Sequence, residues 1–81
     1  MTAVTVTSIT QVSPNNGVKE VFVVGSMASA ETWTATNYFS EIYGCHLTGT
    51  TGLVKGCTFS GLVVTVGTVV TANHFMRVWG I

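Results

Sequence analysis

Four side chains in this sequence are of the types that hold zinc: Cys45, His46, Cys57 and His74. A closed structural site needs four such ligands aimed at one point. The spacing does not supply that. Cys45 and His46 are neighbours, and neighbours in a strand point to opposite faces, while no Cys-x-x-Cys or His-x-x-x-His pair occurs. The cysteines are therefore expected to be core residues. The reduced pair is the expected state, because nothing else in the sequence marks an oxidising compartment. A Cys45–Cys57 disulfide is the alternative, since the two share a face if the strands carrying them pair.

Catalysis by a Cys or Ser nucleophile with His needs a third group to orient the imidazole, often a carboxylate, and the chain contains no Asp. Its acids are Glu20, Glu31 and Glu41. Two of them could serve a glycosidase, but so small a domain has little room for a sugar cleft, and three solvated glutamates are expected instead. The glycines never form G-x-G-x-x-G before a helix, and Lys55-Gly56 reverses the order that a phosphate loop requires. No enzymatic activity and no cofactor is expected; a small hydrolase using Cys or Glu with His74 is the third reading. Trp33, Tyr38, Phe39, Tyr43, Phe75 and Trp79 could stack on a sugar or base, but aromatic residues dominate cores and subunit interfaces, which is the expected use.

The elements that must position these residues are short strands. Thr and Val, the two commonest residues, are β-branched and favour extended backbone. Nine Gly and one Pro cut the chain into runs of strand length, with no long helical periodicity. The first run, residues 3–12, alternates: Ala3, Thr5, Thr7 and Gln11 on one face, Val4, Val6, Ser8 and Val12 on the other. A turn over Ser13-Pro14-Asn15-Asn16-Gly17 leads to a second strand, residues 18–27, which is apolar on both faces and so belongs in the middle of a sheet.

Residues 32–36 give a third strand, with a helical turn available over 37–41, and residues 42–48 a fourth. The fifth, 53–60, is joined by a tight turn at Ser60-Gly61 to the sixth, 62–66, and residues 73–81 form a terminal strand. The echo of Gly44-Cys45-His46-Leu47-Thr48-Gly49 in Gly56-Cys57-Thr58-Phe59-Ser60-Gly61 marks two strands with matched ends. The fold expected is all-β: one domain over residues 1–81, a small antiparallel β-sandwich or flattened barrel of six to seven short strands.

A chain of 81 residues hides only about 60 % of its unfolded surface, so its core is thin and is helped by disulfides, a metal or association. Charged residues are 7 % of the chain and the formal net charge is zero. Domains that remain free in solution generally carry a surplus of one sign, so this composition suits a protein with covered faces. Lys19, Lys55 and Arg77 are too few and too scattered for nucleic acid. Met1 runs directly into Thr2-Ala3-Val4 without a basic start or apolar core, so no signal peptide is read, and residues 57–76, though uncharged, are too polar and β-branched for a membrane helix.

Thr5-Val6-Thr7, Thr32-Trp33-Thr34, Ser60-Gly61 followed by Val64-Thr65-Val66, and the closing Arg77-Val78-Trp79-Gly80 resemble, in style across most of the chain, small β-sandwich virion proteins of tailed bacteriophages. The resemblance implies a capsid decoration or cement subunit located in the virion, often trimeric, beside another virion structural protein. The function expected is a structural subunit that self-associates and packs into a larger assembly, without nucleic acid or membrane partners. Self-association is expected through Phe75, Met76, Val78 and Trp79 of the terminal strand and Val4 and Val6 of the first. The alternative is a carbohydrate-binding or adhesive module in which Trp33, Tyr38 and Tyr43 form an exposed platform.

Overall fold

The β-branched runs do form strands. A computed structural model, which describes residues 2–12 and 17–81, has eight of them in two facing sheets, a small β-sandwich. They are β1 (Thr5–Val12), β2 (Lys19–Met27), β3 (Thr32–Thr34), β4 (Ile42–Gly49), β5 (Val54–Lys55), β6 (Cys57–Ser60), β7 (Val63–Val66) and β8 (Ala72–Gly80). The larger sheet has the order β1-β2-β8-β4-β5 and the smaller β3-β7-β6, and every ladder is antiparallel. Of the turn read at 13–17, residues 13–16 lie outside the described residues, and Gly17 takes φ 84, a left-handed conformation. The helical turn read at 37–41 is a single hydrogen-bonded turn two residues earlier, where the Ala35 carbonyl accepts the N–H groups of Tyr38 and Phe39.

Eight strands replace the six to seven expected because the run 53–60 divides at Gly56. Val54–Lys55 pairs with Leu47 and Thr48 in the larger sheet, whereas Cys57–Ser60 crosses to the smaller one. The β6–β7 hairpin matches its sequence signal. Ser60 pairs with Val63 across the two-residue turn Gly61-Leu62, and Gly61 takes φ 58, a left-handed conformation open to glycine without steric penalty.

Between the sheets lies one hydrophobic core. Val21, Val23 and Met27 of β2, Leu47 of β4 and Met76 and Val78 of β8 meet Trp33 of β3 and Val64 and Val66 of β7. Phe39, Ala35, Ile42 and Val4 close its ends. Alternation accounts for this: on β8, His74, Met76, Val78 and Gly80 are buried while Asn73, Phe75 and Arg77 are exposed. The strand that comes last in the chain is thus inserted at the centre of the larger sheet, between β2 and β4.

Two bulges set the faces. On β1 the register shifts between Val6 and Ser8, so Ile9 and Gln11 stand opposite the buried Val23 and Val21 while Ser8 and Val12 fall on the outer face. The unbroken alternation expected for residues 3–12 therefore reverses at Thr7. On β4 the shift between Ile42 and Gly44 throws Tyr43 outward, leaving it 49 % exposed. Each bulge has a glycine opposite it: Gly25 faces Val6, and Gly80 faces Ile42. A Cβ at Gly25 would overlap the Thr5 carbonyl oxygen, and one at Gly80 the Glu41 carbonyl oxygen.

The backbones approach too closely there for any side chain, and neither oxygen can yield without breaking the ladder. Gly80→Ala is expected to lower stability by about 1–3 kcal/mol. Gly56→Ala, where the added methyl meets open space, should change it far less. Urea unfolding followed by circular dichroism measures both.

Candidate functional site: the outer face of the larger sheet

Cross-strand neighbours on one face of a sheet are defined by register. On the outer face of the larger sheet the rows are Val12, Glu20, Trp79 and Gly44; then Thr10, Phe22, Arg77 and His46; then Ser8, Val24, Phe75 and Thr48. Phe22 and Phe75 are diagonal neighbours on the adjacent central strands β2 and β8, 38 % and 46 % exposed respectively. They flank a shallow, almost wholly apolar groove of about 370 Å³, whose walls include Phe22, Val24, His46, Thr48, Phe75 and Arg77.

No second layer covers this face among the described residues. The smaller sheet lies on the other side, and its own outward rows are Thr32, Thr65 and Thr58, then Thr34, Val63 and Ser60. Hydroxyl groups hydrate that surface. The two outer faces of the sandwich therefore differ: hydroxyl residues dominate that of the smaller sheet, whereas that of the larger sheet sets Phe22, Val24, Phe75 and Trp79 among polar neighbours.

The charges in these rows of the larger sheet are already neutralised. Arg77 donates from Nη2 to Glu20 Oε1 at 2.9 Å and from Nε to Oε2 at 3.2 Å, a bidentate pair, and its guanidinium carbon lies 4.8 Å from the centre of the Trp79 ring. Trp79 in turn lies over Gly44, where a Cβ would overlap the indole. The hydrogen bonds from Arg77 hold the Glu20 carboxyl below its ordinary value of 4.5.

A carboxyl lowered on folding contributes stability that is present above the ordinary carboxylate range and lost as pH falls through the lowered value. Solvent screens the pair, so the effect is modest. Between about pH 5 and 3 the wild type should lose more stability than Glu20→Gln, as read from urea midpoints at each pH.

The residues singled out in the sequence separate into two groups. Val4, Met76 and Val78 point between the sheets and are 7 %, 1 % and 0 % exposed, so the chain's own core takes them up and a second copy cannot reach them. Phe75 and Val6 are exposed, and Trp79 is half-buried on the outer face. Trp33 is a core residue stacked on the half-buried Tyr38 with ring centres 5.7 Å apart, so the exposed platform of Trp33, Tyr38 and Tyr43 does not form. Phe22 and Val24 were missing from the residues expected at a contact. Their signal was the apolar character of both faces of the second strand, of which only one is used by the core.

Cys45 points inward from β4 and His46 outward, as alternation requires, and His74 is buried with Nδ1 2.8 Å from the Ala72 carbonyl. Glu31 accepts the Ala28 N–H at 2.8 Å, and Glu41 lies exposed before β4. Among the described residues, no three His, Cys, Asp or Glu side chains are grouped so that they could hold a metal ion. Among the described residues, no helix is long and apolar enough to cross a membrane.

Fold and surface together define a class: a small two-sheet β domain that carries an apolar groove on the outer face of its larger sheet. Compared with known proteins, the chain matches no family model, no curated protein and no solved structure.

Proposed function

We propose that this protein is a structural subunit that associates with copies of itself through the outer face of its larger sheet and packs into a larger assembly. The observation that carries the reading is the open Phe22–Val24–Phe75 surface on the two central strands, beside an Arg77–Glu20 pair that leaves no net charge to oppose contact. Exposed apolar patches of this kind mark interaction sites. A second copy fits because the formal net charge is zero, so two identical faces meet without repulsion.

A second feature points the same way. Strand β1 is a sheet edge of eight residues without a charged side chain, and natural edges are usually protected by charge, proline or cover. Pairing in a closed oligomer would protect it. The particular assembly supported by the sequence resemblance is the virion of a tailed bacteriophage, with the chain as a decoration or cement subunit against another virion structural protein.

Sedimentation velocity over a dilution series tests the core of this proposal. A discrete oligomer that dissociates on dilution is expected. A folded monomer at the highest concentrations would overturn it and favour a stand-alone binding module.

A further inference from the structure

Cys45 and Cys57 belong to different sheets. Cys45 points inward from β4 of the larger sheet, Cys57 inward from β6 of the smaller, and the S–H of Cys57 donates to Cys45 Sγ across 3.1 Å. The cysteines do not meet by strand pairing, as the sequence alternative required. They meet because the chain changes sheets at Gly56, between the Lys55 that pairs with β4 and the Cys57 that pairs with β7.

A disulfide holds its sulfurs at about 2.05 Å, so closing the gap takes roughly 1 Å of movement shared by two side chains. Both thiols are half-buried, at the rim of the core rather than its centre. Strand β6 is an edge strand, and on β4 the pairing with β5 covers Leu47 and Thr48 but not Cys45. A small oxidant can therefore approach along the open side of the sandwich. We propose that Cys45 and Cys57 form an intrachain disulfide that ties the two sheets together, made by exchange with a small-molecule disulfide such as glutathione disulfide.

The exchange balances as follows. One cysteine, as thiolate, attacks a sulfur of glutathione disulfide, forming a mixed disulfide and expelling a glutathione thiolate. The second cysteine, deprotonated in its turn, attacks the protein sulfur of that mixed disulfide and expels the other glutathione. Two cysteine thiols are oxidised, one glutathione disulfide is reduced to two glutathiones, and the two protons end on the products. The Cys57 thiol is pushed up to about 12, first by burial and then by the neighbouring Cys45 sulfur, so it resists starting the sequence. The bond would add the covalent staple that a thin core of this size commonly uses.

The test equilibrates the full chain in glutathione buffers of graded ratio, native and in urea, followed by acid quenching and mass measurement. The native chain should lose two hydrogens at a glutathione ratio about tenfold or more less oxidising than the unfolded chain needs. Trypsin cuts after Lys19, Lys55 and Arg77, so the bond should hold peptide 20–55 to peptide 56–77 until a reductant is added. Neither Cys45→Ser nor Cys57→Ser should go beyond the mixed disulfide. Persistence of the mixed disulfide in the wild type, cross-linking between chains instead of within one, or equal oxidation of native and unfolded chain would each overturn the proposal.

Discussion

Changing Phe22 and Phe75 together to glutamate is expected to leave the chain folded and to weaken its self-association by about a hundredfold or more, equivalent to about 2.8 kcal/mol. Both side chains stand on the outer face, so their removal opens no cavity between the sheets. They are large rings that flank the apolar groove on that face. Truncating such anchors commonly costs about 2 kcal/mol or more each, and carboxylates facing one another from two copies add repulsion in place of the lost burial.

A standard interface of about 800 Å² per partner at roughly 25 cal/mol per Å² gives an apolar contribution large enough to decide between monomer and oligomer. Thr58→Glu, on the hydroxyl face of the smaller sheet, is the control and should leave association unchanged. Sedimentation velocity of all three proteins at matched concentration gives the answer. If the double variant sediments as the wild-type oligomer does, the contact lies elsewhere, and the open edge of β1 becomes the surface to mutate next.

Much of the sandwich is legible in the sequence, because strand formation is a local matter of β-branched residues and glycine punctuation. The hairpin at Gly61-Leu62 and the terminal strand with its alternating burial needed no knowledge of the rest of the chain. Other features depend on partners distant in sequence. Nothing local in residues 53–60 says that Val54–Lys55 and Cys57–Ser60 serve opposite sheets, since a single glycine is as compatible with a continuous strand as with a crossing.

The bulges at Thr7 and Tyr43 are equally hidden. A one-residue slip moves every following side chain to the other face, so Ser8 and Val12 were assigned to the side of Val4 and Val6 and stand on the opposite one. The compensating glycines, Gly25 and Gly80, lie 18 and 37 residues further on. The candidate contact surface was half legible for the same reason. Two-faced strands such as β2 and β8 announce that both sides want cover, but which side the core takes depends on the bulged neighbours. Phe22 thus became exposed and Val24 half-buried on the outer face, while Met76 and Val78 became core.

Leu47→Ala is the single substitution expected to damage the fold most. Leu47 is fully buried on β4, opposite Met76 of β8 on one side and Lys55 of β5 on the other, and it faces the smaller sheet across the core. Removing its three outer carbons forfeits transfer energy and leaves a void that the flanking strands cannot close without breaking two ladders, a loss of about 2–5 kcal/mol. For a domain of this length the whole stability is roughly 4–12 kcal/mol, so one side chain holds a large share of it. With a shift of about 4–8 °C per kcal/mol, the melting temperature should fall by roughly 8–40 °C.

Leu53→Ala provides the contrast, since Leu53 is 61 % exposed in the β4–β5 connection and should shift stability by no more than about 0.5 kcal/mol. Because association also stabilises whatever it binds, both variants are best compared in the Phe22→Glu/Phe75→Glu background at equal protein concentration. There the difference between Leu47 and Leu53 reports the intramolecular core alone. Near-equal losses would mean that the two sheets do not share the packed interior that Leu47, Met76 and Val64 define.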